Sequence, residues 1–410
     1  MKVWIKFLVG SVLGLVLGFL LPQDNQFIME WLAWIEALAI RIGRYAAVPV
    51  LFFSMVIGMY ELRQEGRFWR VAARSFLMML VISVFVIAMG IAATLIFPPG
   101  RIPILIEEQV ETVSVSIPES IMELFPSNMF MALITDGVYL FPAYICAFFV
   151  GVGLSCDRTY SKQVVSLVDS LSRVFYHIVS LFSEILFPVL IAISAYWAVQ
   201  YRGVSQSGTF RDLILLLGVF SVILTFGVFP LFLYFLRPKI NPWAVLYGSL
   251  GPGIAAFFSG DINFTLPVLL RNVKENLGVR RRANAVCLPL FASFGRAGSA
   301  MVAAAAFIVI IKSYSSLGIT IADAAAIGLR AVLISFLLAR HPGDGAYTAL
   351  ALLSLGYSRD FEAGYLNLKP LAFYLIAIGT FLDVMISSFS TFALAKLSGF
   401  QEEKSIRHFI

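Results

Sequence analysis

The chain has 410 residues, of which 60% are hydrophobic and only 13% charged, against roughly 45–50% and about 25% in an ordinary soluble domain. With a mean hydropathy of +0.89, this composition excludes a soluble protein, and the unit to count is the membrane span. The net charge of +6 does not imply nucleic acid, because the basic residues sit in short loops between apolar runs, where they set orientation.

Lys2 and Lys6 precede the apolar run 7–21, a pattern shared with signal peptides, but no small-x-small cleavage site follows. The segment is therefore expected to be an uncleaved first span. Eight spans are predicted, at 7–22, 30–58, 75–98, 129–155, 174–200, 212–236, 284–311 and 371–397. Two further apolar regions are interrupted, 243–270 by Gly251, Pro252, Gly253, Gly260 and Asp261, and 319–357 by Arg340-His341-Pro342-Gly343-Asp344-Gly345. Lipid cannot satisfy freed backbone groups, so each is expected to be a re-entrant helical hairpin buried in protein or lining a cavity. Such broken helices point to a binding site; the plainer alternative is two kinked spans. Cys146, Cys156 and Cys287 lie far apart in apolar surroundings and are expected to be packing residues.

Loop charge sets the predicted orientation. With the N-terminus inside, the cytoplasmic segments hold Arg63, Arg67, Arg70 and Arg74, then Arg158, Lys162 and Arg173. Later come Arg237 and Lys239, the cluster Arg271, Lys274, Arg280, Arg281 and Arg282, and finally Lys396, Lys404 and Arg407. The external loop 99–127 sets Arg101 against Glu107, Glu108, Glu111, Glu119 and Glu123. Both termini are thus expected in the cytoplasm, with the two hairpins entering from opposite faces. Asn263-Phe264-Thr265 matches a glycosylation acceptor, but at the tip of a cytoplasmic hairpin it should carry no glycan.

Ionisable residues at membrane depth are costly and mark functional pathways. Asp261, Arg340 and Asp344 fall at the hairpin tips, Arg296 in the middle of 284–311 and Asp383 in the middle of 371–397. With Ser293, Ser299, Ser387, Ser388 and Ser390 nearby, they suit a zwitterionic ligand; the bland alternative for Arg296 and Asp383 is a buried structural ion pair. Arg41 and Arg44 are expected to snorkel or to mark a tilted scaffold helix. His341 is expected to be a tip residue rather than a proton relay. Only three histidines occur, and no HExxH, GxSxG or Walker loop is present. An enzyme is therefore disfavoured, including an Asp383–Ser387–His341 hydrolytic trio. Opposed hairpins suit alternating occlusion better than a continuous channel. Phe and Met at helical spacing are packing residues, and neither a cofactor nor a metal centre is expected.

Several motifs, in order and spacing, carry a resemblance. They are segment 41–49, Phe97-Pro98-Pro99-Gly100, Thr265-Leu266-Pro267-Val268, Leu288-Pro289-Leu290, Pro342-Gly343-Asp344-Gly345 and Phe381-Leu382-Asp383. Together they resemble the dicarboxylate/amino acid:cation symporter family, the glutamate-transporter fold. The resemblance implies an all-α integral protein of the inner membrane, with eight transmembrane helices and two opposed re-entrant hairpins. It implies a homotrimer working as an elevator. Residues 1–74 and 99–211 would form the scaffold, 75–98 and 212–398 the transport domain, and 399–410 a cytoplasmic tail.

By the same resemblance Asp383 would hold a substrate α-amino group, Ser299 and Ser387 would replace two hydroxyl-bearing positions, and the α-carboxylate would rest on backbone near Asn263 and on the tip Pro342, Gly343 and Gly345. The family's arginine for a side-chain carboxylate aligns with Ile386. The family's Asn-Met-Asp-Gly-Thr aligns with Gly295-Arg296-Ala297-Gly298-Ser299. Other sodium ligands align with Ser390, Leu394, Ile82-Ser83 and Leu338, and Asp261 stands at the first tip serine. These losses predict weakened sodium sites and a sodium-independent secondary transporter, with Arg296 as a tethered cation paired to Asp383 or Asp261; the alternative is a sodium- or proton-coupled glutamate/aspartate symporter with altered ion sites. The substrate stays open between acidic and neutral amino acids or dicarboxylates. Proton coupling through Asp261, Asp344, Asp383 or His341, exchange and facilitation also stay open. The partners implied are a small-molecule substrate and lipid, not nucleic acid.

Overall fold

In a computed structural model, which describes residues 2–22, 25–103, 122–134, 137–205, 208–236, 241–314, 319–357, 364–406 and 409, the apolar runs are helices. Among these residues no strand forms; Val279 and Gln401 make one isolated bridge. Among the described residues seven helical stretches are long and apolar enough to cross a membrane. Glu107, Glu108, Glu111 and Glu119 of the predicted external loop lie outside the described residues, as do Arg237, Lys239 and Arg407.

α1 (Val3–Leu20) packs along α6 (Arg158–Ser205). Gly10, Gly14 and Gly18 form the contact stripe, where any Cβ would strike backbone at Phe187, Ile191 or Ala195. The predicted second span is two helices, α2 (Gln26–Arg44) and α3 (Ala47–Gln64), separated at Tyr45-Ala46. The 39 residues of this stretch are about twice what one crossing needs, and Pro49 sits in the first turn of α3, where a missing N–H costs nothing. α4 (Phe68–Ile96) stops ahead of Pro98-Pro99.

The predicted span 129–155 is not continuous. A short 3₁₀ turn at Met129–Leu133 is followed, after Gly137 with φ of 70°, by α5 (Phe141–Leu154) of 14 residues. The predicted fifth span is only the apolar part of α6, whose 48 residues extend about 72 Å at 1.5 Å per residue. α7 (Arg211–Leu236) widens into a π turn at Ile223–Val228, just before Pro230, which has no N–H for an ordinary helical bond.

Region 243–270 is a helix–turn–helix of α8 (Pro242–Ser259) and α9 (Ile262–Glu275). Contrary to expectation, α8 runs through Gly251-Pro252-Gly253 and breaks only at Gly260-Asp261. The predicted seventh span is itself broken, into α10 (Arg281–Ser293) and α11 (Ala297–Tyr314). The second hairpin is α12 (Ile321–Ser335), a 3₁₀ turn at Leu338–Arg340 and α13 (Gly345–Tyr357). Thr320 and Asp323 start it with a reciprocal capping box. α14 (Ala372–Ser398) closes the fold.

α11 is the central element. Every residue from Ala297 to Ile311 is buried, packed by α4, α12, α13 and α14. The α10 and α8 helices cover the other side of α14, so the breaks in α10–α11 and in both hairpins converge on its middle.

Candidate functional site

Arg296 ends the gap between α10 and α11, and it is the largest fully buried side chain among the described residues. The backbone of the gap is satisfied from outside the helix: the Arg296 N–H donates to the Ser335 carbonyl of α12 at 3.3 Å. The guanidinium reaches three acceptors. Nε donates to Asp383 Oδ2 at 2.9 Å, Nη2 to Ser299 Oγ at 3.2 Å, and Nη1 to the His341 carbonyl on the second tip.

Asp383 is equally engaged. Its Oδ1 accepts the Ser299 N–H at 3.0 Å, and its Oδ2 accepts the Ser299 hydroxyl at 2.6 Å as well as Arg296. Both side chains of the pair are 0% exposed. A lone charge at such a site carries a desolvation penalty of several kcal/mol, and the pair is tolerable because each side chain also makes hydrogen bonds beyond the ion pair, three in all on each. A Cβ on Gly345 would fall onto the guanidinium, so glycine is what lets the second tip lie against Arg296.

The first tip is built by Gly260, which closes α8 with φ of 62°, and by Asp261, which caps α9 through Oδ1 and the Phe264 N–H at 2.8 Å. The other oxygen of Asp261 pairs with Arg44 at the end of α2. Asp261 therefore faces α2, not Arg296. The tips join directly, the Ile262 N–H donating to the Pro342 carbonyl at 3.1 Å. α14 holds the first tip through the Thr380 hydroxyl, which donates to the Gly260 carbonyl at 2.9 Å. Gly343 lies over the Asp261 carboxylate. Asn263 is buried and donates to the Gly137 and Val138 carbonyls at 2.9 and 2.7 Å; its amide is already committed to the stretch before α5.

Of the residues singled out by sequence, Arg296, Asp383, Ser299 and Gly345 meet in one cluster, with Pro342, Gly343, Asp261 and Asn263 beside it at the joined tips. Others point elsewhere. Ser387 returns its hydroxyl to the Asp383 carbonyl of its own helix at 2.6 Å. Ile386 is buried in the core. Arg340 reaches Glu123 at 3.0 Å. Asp344 accepts from Thr348 at 2.9 Å and lies 3.2 Å from His341 Nδ1. The hydroxyls of Ser83 and Ser390 are buried without a hydrogen-bond partner among the described residues. Arg44, for which sequence suggests snorkelling or a tilted scaffold helix, pairs with Asp261 of the first tip. Its partner is 217 residues away in sequence, and only its pairing with Arg41 in an apolar run flagged it.

Over residues 3–395 the chain matches the sodium:dicarboxylate symporter family. The protein belongs to this family. It is 22% identical over 364 residues to a proton/sodium-glutamate symport protein of Bacillus subtilis (strain 168), covering 85% of this chain and 82% of that one. It is 24% identical over 325 residues to a serine/threonine transporter of Streptococcus agalactiae, covering 77% and 75%. A similarity at 22% over 296 residues joins it to an L-cystine uptake protein of Bacillus thuringiensis subsp. konkukian, covering 66% and 62%. With its apolar helices, this family membership makes the chain a multi-pass integral membrane transporter and not an enzyme.

Proposed function

We propose that this symporter-family member is a secondary transporter of amino acids or dicarboxylates that works without sodium, Arg296 serving as a built-in cation. The observation that carries this reading is the fully buried guanidinium between Asp383, Ser299 and the His341 carbonyl. It places a permanent positive charge at the break in α10–α11, where the family motif aligned above would put sodium-binding side chains. The relatives' names, glutamate, serine/threonine and cystine, support an amino-acid substrate.

A zwitterionic substrate fits by exchange of partners. Its ammonium takes Asp383, and its carboxylate takes the released guanidinium, two N–H groups of which have no assigned acceptor. The charge of the site is the same before and after. Movement would follow the elevator scheme, with 75–98 and 212–398 travelling against 1–74 and 99–211 in a homotrimer, the termini in the cytoplasm.

The test is uptake of a labelled amino-acid panel into proteoliposomes, with sodium, proton and potential gradients imposed separately. Saturable uptake and counterflow that do not change with sodium are expected. Uptake or binding that grows with sodium at fixed potential and pH refutes the proposal. The two partnerless hydroxyls, Ser83 and Ser390, favour a second reading in which a weakened cation site survives, and the same titration separates the two.

A further inference from the structure

A cavity of about 260 Å³ opens between α3, α6, α9 and α10, lined by none of the residues of the Arg296 cluster. Arg173, Lys274 and Arg281 converge on it, with Tyr176, His177 and Asn284. Two of the three cations are matched. Arg281 pairs with Glu61 at 2.7 Å and with Asp169, which also holds Arg173 at 3.1 Å. Lys274 is different: its ammonium lies 3.6 Å from the centre of the Tyr176 ring, with no carboxylate in ion-pair reach among the described residues. The adjacent Glu275 is engaged by the Tyr176 hydroxyl at 2.5 Å and by Arg271 at 3.5 Å.

A second, independent group is left open. Asn284 is 4% exposed; its Nδ2 donates to the Leu270 carbonyl at 2.7 Å, while its Oδ1 has no donor among the described residues. A buried acceptor without a donor is costly. The cavity thus asks for two things at once, an anion opposite Lys274, flanked by Arg173 and Arg281, and a hydroxyl donor opposite Asn284. Val50 and Leu270 supply an apolar wall.

We propose that this cavity binds a hydroxylated phosphate of the glycerol-phosphate kind, presented by an anionic lipid headgroup or by a small soluble polyol phosphate. Basic pockets between helices at the cytoplasmic headgroup level suit this chemistry, and the pocket's basic residues belong to the segments that loop charge assigns to that side. Because α3 and α6 form one wall and α9 and α10 the other, an occupant ties together the two bodies of the elevator scheme proposed above and slows turnover. That consequence rests on the elevator reading; the binding itself does not.

The experiment uses the full chain in phosphatidylcholine vesicles, with and without phosphatidylglycerol, and adds glycerol 3-phosphate to the phosphatidylcholine-only sample. Native mass spectrometry counts retained lipid, thermal melting reports occupancy, and uptake reports turnover. Retained phosphatidylglycerol, weakened about tenfold by Lys274→Gln or Asn284→Ala and kept by Lys274→Arg, supports the site with a lipid occupant. Stabilisation by glycerol 3-phosphate that Lys274→Gln removes supports it with a soluble one. Where a variant fails to fold, the wild-type preference decides. No preference for phosphatidylglycerol over phosphatidylcholine together with no effect of glycerol 3-phosphate overturns the proposal, as does retention unchanged in both folded variants. Binding that leaves uptake unchanged supports the site and overturns only its brake on movement.

Discussion

The Arg296–Asp383 pair gives the sharpest test of how the site is held together. Both side chains are 0% exposed and 2.9 Å apart, so replacing either leaves the other charged and buried, a loss of about 3–5 kcal/mol. The two halves differ. After Arg296→Met, Asp383 keeps the Ser299 N–H and hydroxyl, two hydrogen bonds that hold the loss near the lower figure. After Asp383→Asn, Arg296 keeps only neutral acceptors, Ser299 Oγ and the His341 carbonyl, and the loss approaches the upper one. The double variant Arg296→Met/Asp383→Asn buries no charge, and an apolar replacement for a buried pair is often neutral or better. It is expected to be more stable than either single variant. The assay is denaturant or thermal unfolding of all four proteins in one detergent, followed by tryptophan fluorescence. A double variant as unstable as the sum of the singles would show that the two groups do not interact, and a single variant within about 1 kcal/mol of wild type would show that the charge left behind is not buried.

Two further outcomes follow from the tips. Exchanging the charges of the tip pair, Arg44→Asp with Asp261→Arg, should recover uptake lost by either single change, measured as initial rate at equal expression; singles that leave the rate untouched would remove this contact from the transport cycle. Gly345→Ala should displace the guanidinium and lower stability by about 1–3 kcal/mol, and Arg296→Met, which removes the obstructing group, should lessen that loss; a Gly345→Ala protein as stable and active as wild type would refute the close packing of the second tip.

Composition was enough for a multi-pass helical protein, and the interruptions at Gly260-Asp261 and at Pro342–Gly345 marked the tips, whereas Gly251-Pro252-Gly253 lies inside an unbroken helix. The gap at Phe294-Gly295-Arg296 was hidden for a physical reason. Three residues between two apolar helices barely change the hydropathy averaged over a span, and the backbone there is satisfied by Ser335, a residue of another element. In the same way the long α6 was seen only where it is apolar, since its first turns, Arg158 to Arg173, look like a loop by charge alone. Charge pairing was legible in kind but not in detail. Sequence placed Arg296 opposite either Asp383 or Asp261, and geometry divides them, giving Asp383 to Arg296 and Asp261 to Arg44.

That division has a mechanical consequence. Arg44 holds Asp261, the next residue Ile262 donates to Pro342, and His341, the residue before Pro342, is held by Arg296, which is in turn held by Asp383. α2, the first tip, the second tip, the gap between α10 and α11, and α14 are thus connected in series through four polar contacts. The guanidinium that pairs with Asp383 is the one that fastens His341, and the residue after His341 holds Ile262 of the first tip. The Arg296–Asp383 pair and the grip of the first tip on α2 therefore belong to one continuous set of contacts. Arg296 supplies a positive charge at the point where the two tips and α14 meet.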